Sequence, residues 1–488
     1  MTIEEILQLG TVDEVIEELK NGRGTERPDV EKAEKALDPK KHDVFDITKR
    51  PDEEVVVDER DDDDVDANNE AKKEKTTKTE KVARIALSLQ KLIIARAAAF
   101  LFGTPVKYYA KTISENQKTI KKAFDRIVSD NKLASLDRTI AKTIFGYKEC
   151  AELWYSVPAD HDNYGFRSSF KLRCALFSPK NGDVLYPYFD DTGDMIAFSR
   201  EFVRKDAEGE EVSYFETYTD SQHLQWVESE NGMVLVDSFP KANVIGKIPV
   251  VYGMQENFET EDVDSLIDRL ETLLSNFADT NDYHGSPTII VKGLVLGFAQ
   301  KGKAGKILQL TKGDDRDSMQ PDAQYLTWEH APESIKLEIE TLLRMIHTLT
   351  QTPDISFDTV KGLGAISGIA LKLLFMDAHL KVMDKQEIFD AYLTRRANII
   401  KAFIGQFNLS LKQESDIMDI DPEITPYIIT NEIDDANFWI TANGGKPLIS
   451  QKESAANANL SSNAEEDFTQ MQKEAEASSF RSVTEPTY

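Results

Sequence analysis

The chain has 488 residues, material for about three domains at roughly 150 residues each. Its 58 Lys and Arg against 86 Asp and Glu leave a formal charge of −28, which excludes a general duplex-coating protein, because binding by counterion release needs a basic surface. The two cysteines, Cys150 and Cys174, have no CxxC or Cys/His spacing. The start MTIEEILQLG lacks a basic region, and no 18-residue apolar run occurs, so a disulfide framework, a structural zinc site, a secretory signal and a bilayer span are all excluded as readings, leaving a reduced, intracellularly made, soluble protein.

Residues 1–80 are polar and charge-rich. Ile3 to Lys20 has helical spacing through Ile6, Leu7, Val12, Val15, Ile16 and Leu19. Residues 51–70 hold eleven acidic side chains against one arginine. Like charges at that density oppose compaction, so 50–78 reads as extended or disordered. It is not a calcium loop, since Asp58 to Glu70 offers neither alternating ligands nor a glycine at the sixth position. KVARIALSLQKLIIARAAAFLFG then predicts a strong helix closed by Gly103. Thr104-Pro105 stops it, and VKYYA follows as a short strand. Amphipathic helices are expected over about 114–130 and 133–143. Lys111, Lys118, Lys121 and Lys122 there form a basic patch that a plain solvated helix face explains.

From 150 to 252 the segments ELWYSV, SFKLRCALFSP, VLYPYFD, MIAFSREFV, EVSYFETYT, HLQWVES and GMVLVDS read as strands. Turns such as Asn181-Gly182-Asp183 between them predict an antiparallel meander. Glu261 to Tyr283 places Val263, Leu266, Ile267, Leu270, Leu273, Leu274 and Phe277 in one apolar stripe. Asp264, Asp268, Glu271, Asp279 and Asp282 occupy the other face. A compact insert over 286–331 carries strands TIIVKG, KILQL and QYLTW. A helix from Pro332 turns Ile335, Ile339, Leu342, Leu343, Ile346 and Leu349 inward, and Gln351-Thr352-Pro353 ends it. The loop DISFDTVKGLGAIS leads into a long helix over about 368–406. PYIITNEI as a strand, a Gly444-Gly445 turn and a short acidic helical tail complete the chain.

Recognisable catalytic chemistry does not emerge. Gly297 to Lys303 has the glycine and lysine spacing of a phosphate loop, but Ala304 replaces the hydroxyl that would hold Mg²⁺ and KILQL is strand-like. The seven histidines show no HExxH, and no triad is visible in sequence. Neither a catalytic pair, a cofactor nor a metal is expected.

The order of parts nevertheless resembles the portal (head–tail connector) proteins of tailed bacteriophages, in the branch found in siphoviruses. Four blocks carry the resemblance: KLIIARAAAFLFGTPVKYY, KIPVVYGMQENFETEDVDSLIDRLETLLSNFADTND, TPDISFDTVKGLGAISGIALKLLFMDAHLKVMDKQEIFDAYLTRR and NGGKPLISQKESAAN. The resemblance implies an α+β subunit with a mixed α/β wing, a two-helix stem, a small β-containing clip and a long kinked helix after a channel loop. Mapped here, 1–80 is an acidic N-terminal extension and 81–257 the wing. Residues 258–285 and 332–351 are the stem helices, and 286–331 the clip. Residues 352–367 are the channel loop, 368–407 the long helix, 408–450 the wing return and 451–488 a short crown and tail.

The resemblance further implies a ring, usually of twelve subunits, at the capsid vertex. Double-stranded DNA is packaged through it by a separate terminase, and head–tail adaptors dock on it. Large terminase, adaptor, major capsid and scaffolding proteins are then partners, and a membrane is not. In that frame Lys361, with Gly362, Gly364, Thr359 and Ser356, is the DNA-facing loop. Glycines let such a loop adjust and Lys361 supplies a flexible point charge, although an ordinary surface lysine fits the same residues. Asp264, Asp268 and Glu271 form an acidic channel face that repels phosphate. Lys292, Lys301, Lys303, Lys306 and Lys312 form a basic clip cluster, or simply solvated turns. Leu266, Leu270, Leu273, Phe277, Leu342 and Ile346 form the interface between subunits. A soluble virion adaptor or scaffold without a channel, and a nucleotide-dependent packaging enzyme, are the alternatives.

Overall fold

The computed structural model describes residues 2–57, 76–205, 209–230, 232–284, 288–292, 294–297, 309–311, 322–326, 332–354, 375–427, 432–444, 450–457 and 464–484. Three short helices open the chain: α1 (Ile3–Leu7), α2 (Val12–Asn21) and α3 (Val30–Leu37). Thr2 and Thr11 each close a capping box with a glutamate three residues on, satisfying the first free amides of α1 and α2. The strands β1 (Glu53–Val57) and β2 (Thr76–Glu80) pair antiparallel. Helix α4 (Leu89–Phe102), strand β3 (Lys107–Tyr109) and helices α5 (Glu115–Asp130) and α6 (Leu133–Tyr147) follow.

The expected meander is present. Strands β6 (Val184–Phe189), β7 (Met195–Lys205), β8 (Glu211–Tyr218), β9 (Gln222–Ser229) and β10 (Gly232–Leu235) pair in sequence order, and β11 (Lys241–Ala242) adds to β9. A second sheet has β4 (Glu149–His161) between β5 (Ser168–Phe177) and β12 (Val250–Met254). Helix α7 (Asp264–His284) leads to a small β unit: β13 (Thr288–Lys292) pairs with β16 (Asp322–Leu326), and β14 (Leu294–Gly297) with β15 (Gln309–Thr311). Helix α8 (Pro332–Leu349) returns alongside α7. Then come α9 (Met376–Phe407), an uninterrupted helix of 32 residues, α10 (Lys412–Ile417) and β17 (Asp421–Glu423), which pairs with β3. Helices α11 (Glu432–Asn443), α12 (Gln451–Asn457) and α13 (Ala464–Thr484) complete the described chain.

Three expectations are corrected. Residues 1–50 are not an extension: Ile6, Val15, Ile16 and Leu19 bury against Tyr186, Phe215 and Trp226 of the meander. Just after α2, Arg23 forms a buried pair with Glu149, 2.7 Å away. Gly22 permits this approach, since a Cβ there would fall 1.9 Å from the Tyr188 ring. Second, the helix expected from residue 81 begins only at Leu89, because 81–88 is held extended along α7. Third, of the expected strand PYIITNEI the described residues are not strand: Pro426 and Tyr427 join no sheet, Glu432 and Ile433 open α11, and residues 428–431 lie outside the described residues, while the partner of β3 lies earlier, at Asp421–Glu423.

The main core packs α4, α5 and α6 against α9 and β4. A charged cluster crosses it. Arg396 of α9, fully buried, donates to Glu152 (2.6 and 2.9 Å), to Asp137 (2.6 Å) and to the Tyr108 hydroxyl (3.3 Å). Tyr392 donates to the same Glu152 at 3.2 Å. Burial opposes the charge on Arg396, but the two carboxylates more than offset it and hold the guanidinium well above its ordinary pKa. Such an arrangement fixes α9 to β4 and α6 in one position, because removing either sign strands the other in a dry interior.

Candidate functional site

Of the residues singled out by sequence, the described ones lie on α7, on α8 and, for Lys292, at the end of β13. The α7 stripe is apolar as expected, but its partner lies within the same chain. Ile267, Leu270 and Val263 are buried with Leu342 and Ile346 of α8 and Ile93 of α4, and Leu266 and Leu273 pack against this cluster. Leu270, Leu342 and Ile346 therefore do not form a face between subunits: α7, α8 and α4 close over them within one protomer. Phe277, further along α7, is half-buried.

The acidic face divides. Asp268 is exposed and Asp264 half-buried. Burial raises the pKa of both carboxyls above the ordinary value, and nearby acids add to it. Glu271, expected on a channel wall, is instead completely buried. Its Oε1 accepts from the Leu87 amide (2.7 Å) and meets His42 Nδ1 at 2.8 Å. Burial works against charge on His42, but Glu271, the Ala36 carbonyl and Asp268 outweigh it and hold the imidazole above its ordinary pKa.

Leu87 is the last of three such donors. The Ala83 amide donates to Asp279 (2.6 Å) and the Ile85 amide to Ser275 Oγ (2.9 Å). Alternate amides of an extended strand are about 6.6 Å apart, and residues four apart on a helix rise about 6 Å. Residues 83, 85 and 87 therefore meet side chains 279, 275 and 271 in register. This is why 81–88 is extended although its composition favours a helix: α7 supplies its amides with acceptors. Arg50 fastens the far end, donating to Asn276 at 2.7 Å and pairing with Asp279.

The chain is anchored both where it leaves α8 and where it enters α9. Past α8, Gln351 takes a left-handed φ of 51° and turns the chain. The Thr350 and Thr352 hydroxyls lie 2.7 Å apart in the interior. Lys381 of α9 donates to the Thr350 carbonyl (2.6 Å) and pairs with Glu259, which also meets Lys385 at 3.0 Å. Burial lowers the Lys381 pKa below the ordinary lysine value, against the pull of Glu259. Arg96 of α4 donates to the Pro353 carbonyl at 3.1 Å. On the other side, Phe375, immediately before α9, packs on Phe100 of α4 with ring centroids 5.5 Å apart. Pro353 and Phe375 thus rest on one helix, at residues one turn apart.

Ser356, Thr359, Lys361, Gly362 and Gly364 lie outside the described residues, as do Lys301, Lys303, Lys306 and Lys312. Lys292 closes β13 opposite Asp322 of β16. Sequence reasoning missed Arg96, Phe100, Glu259, Lys381 and Arg396. Lys381 and Arg396 did carry a signal, being cations on the apolar side of a long helix. Among the described residues no group of three or more His, Cys, Asp or Glu is placed to hold a metal, and no helix is long and apolar enough to cross a membrane.

The family model described as "Phage portal protein, SPP1 Gp6-like" matches residues 16–479. No curated protein matches the chain. Among solved structures, the neck of an empty GTA particle computed with C6 symmetry is similar at a TM-score of 0.40 and 12% identity, covering 76% of this chain and 89% of that one. The neck of a native GTA particle computed with C12 symmetry gives a TM-score of 0.38 and 10% identity, covering 76% and 88%.

Proposed function

The chain belongs to the phage portal protein family, SPP1 Gp6-like, as a structural portal protein of a phage-like head, and from that membership we propose that its copies close into a ring, of twelve subunits, at one capsid vertex. Double-stranded viral DNA is driven through the ring by a separate large terminase and leaves by the same route. The ring also carries the head–tail adaptor and contacts the major capsid and scaffolding proteins during assembly. The observation that carries this reading is the span of the family match, from α2 to the last described helix.

The fold supports it at one place in particular. Pro353, at the start of the proposed channel loop 352–367, and Phe375, beyond its end, both rest on α4, at Arg96 and Phe100. In this reading Lys361 touches passing phosphates while Gly362 and Gly364 let the backbone adapt. Ser356 and Thr359 share that face. Asp264 and Asp268 remain the acidic groups able to repel DNA from the wall, an effect confined to about 10 Å by screening. Lys292, Lys301, Lys303 and Lys306 face the motor, the adaptor or DNA.

Light scattering with negative-stain imaging of the purified chain, alone and from capsids, tests the ring. A particle near twelve times 55.0 kDa with a central hole is expected. A compact monomer from both sources overturns it.

A further inference from the structure

The inward faces of α8 and α9 are accounted for within the protomer, but their outward faces are not. On α8, Leu337, Met345 and Leu349 are 65%, 45% and 55% exposed. Their spacing of eight and four residues puts them along one side of the helix. On α9, Met376, Leu380 and Met383 are 51%, 49% and 62% exposed at spacings of four and three. A single exposed Leu or Met is ordinary. Two stripes on two helices that meet at Lys381 and Thr350 are more apolar surface than isolated residues explain.

Charge tells the stripes apart. Around Leu337 the exposed Lys336 and Glu340 pair at 3.9 Å, with Glu333 one turn before, while beside Met345 stands Arg344, exposed and with no side-chain partner among the described residues. The α9 stripe is bordered by the exposed carboxylates Asp377, Asp384 and Glu387, of which Asp384 alone has a cation near it, Lys385 at 3.6 Å. The α8 stripe, with the unpaired Arg344 at its Met345–Leu349 end, and the α9 stripe, with its acids, complement each other better than either complements itself. A two-fold contact can pair the two stripes crosswise, but it stops at two copies. A head-to-tail contact sets one against the other, and such contacts close into rings.

We infer that the α8 stripe of one copy packs on the α9 stripe of the next, with Arg344 facing the acidic border. The occupant of each stripe is therefore a second copy of this chain, an inference that rests on the ring reading and assigns its contact. Methionine supplies three of the six apolar side chains, and its flexibility lets the contact be retained while the surfaces shift.

Disulfide trapping in the full-length chain tests this directly. The native thiols do not compete, since Cys150 is buried and Cys174 partly so, and burial pushes both thiols far above the ordinary pKa. Chains carrying Met345→Cys are co-expressed with chains carrying Leu380→Cys, oxidised, and run without reductant. A dimer is expected only from the mixture, while each variant alone stays monomeric on the gel. Arg344→Glu should lower the assembled fraction, and adding Asp377→Lys and Glu387→Lys should restore it. Rings that form without the mixed dimer overturn the pairing and leave the ring reading standing. A dimer from either variant alone shows like meeting like and also overturns it. A chain that never assembles, even in capsids, overturns both.

Discussion

Leu87 donates its amide to the carboxylate of Glu271 at 2.7 Å, joining residues 184 apart in the chain. The same oxygen meets His42, so one buried glutamate holds two separate parts of the N-terminal region against α7. Glu271→Ala should leave the buried Leu87 amide and the buried Nδ1 of His42 without partners. The cost expected is about 1–3 kcal/mol for each unmet group. Chemical denaturation measures the loss, and hydrogen exchange at residues 83–87 should accelerate before the meander does.

The His42 pair also predicts a pH dependence. Its folded pKa is raised above the usual 6.5. The stabilisation is therefore fully present below about pH 6.5 and is lost as pH rises through the raised folded value. Denaturation midpoints from pH 6 to 9 should fall more steeply for the native chain than for His42→Gln, which removes the titrating group. Parallel curves would show that the pair contributes nothing to this window.

Leu270 and Leu337 should behave oppositely. Leu270→Asp places a charge inside the α7–α8–α4 cluster, and the protomer itself should lose several kcal/mol, of order 3–5, or fail to fold. Leu337→Asp is exposed and should leave thermal melting of the protomer nearly unchanged. Circular dichroism melts of the two variants decide the point.

Arg396→Met removes the cation shared by Glu152 and Asp137 and strands two buried carboxylates. A loss of about 3–5 kcal/mol is expected. Lys385→Ala, at the margin of the Glu259 contact, should cost much less, because Lys381 still pairs with that carboxylate.

Lys361→Ala should assemble normally yet package or retain less DNA, read as DNA mass per purified particle. Wild-type DNA content in that variant would remove the assigned role.

Much of the fold was legible because its signals are local. The strands of the meander alternate and are bounded by turn residues, and α7 and α8 show clean helical stripes. What periodicity cannot say is what covers a buried face. Leu270 and Ile346 read equally well as a contact between copies and as a contact within one. Only the proximity of α4 through Ile93 separates the two readings. Residues 81–88 misled for the same reason: Ala, Ile and Leu favour a helix locally, and the acceptors that override them are supplied by a helix far along the chain. Glu271 was one of 86 acidic residues, and its place one turn from Ile267, at the stripe's edge, was the available clue.

Arg96 and Phe100 lie on successive turns of α4, about 6 Å apart along its axis. They hold Pro353 and Phe375, the described residues where the chain leaves α8 and enters α9, so those two points are tied to each other through one turn of one helix, as a handle is by one plate. α4 itself is seated in the main core, so in the proposed ring a load on that segment would be passed in part to the best-packed region of the protomer.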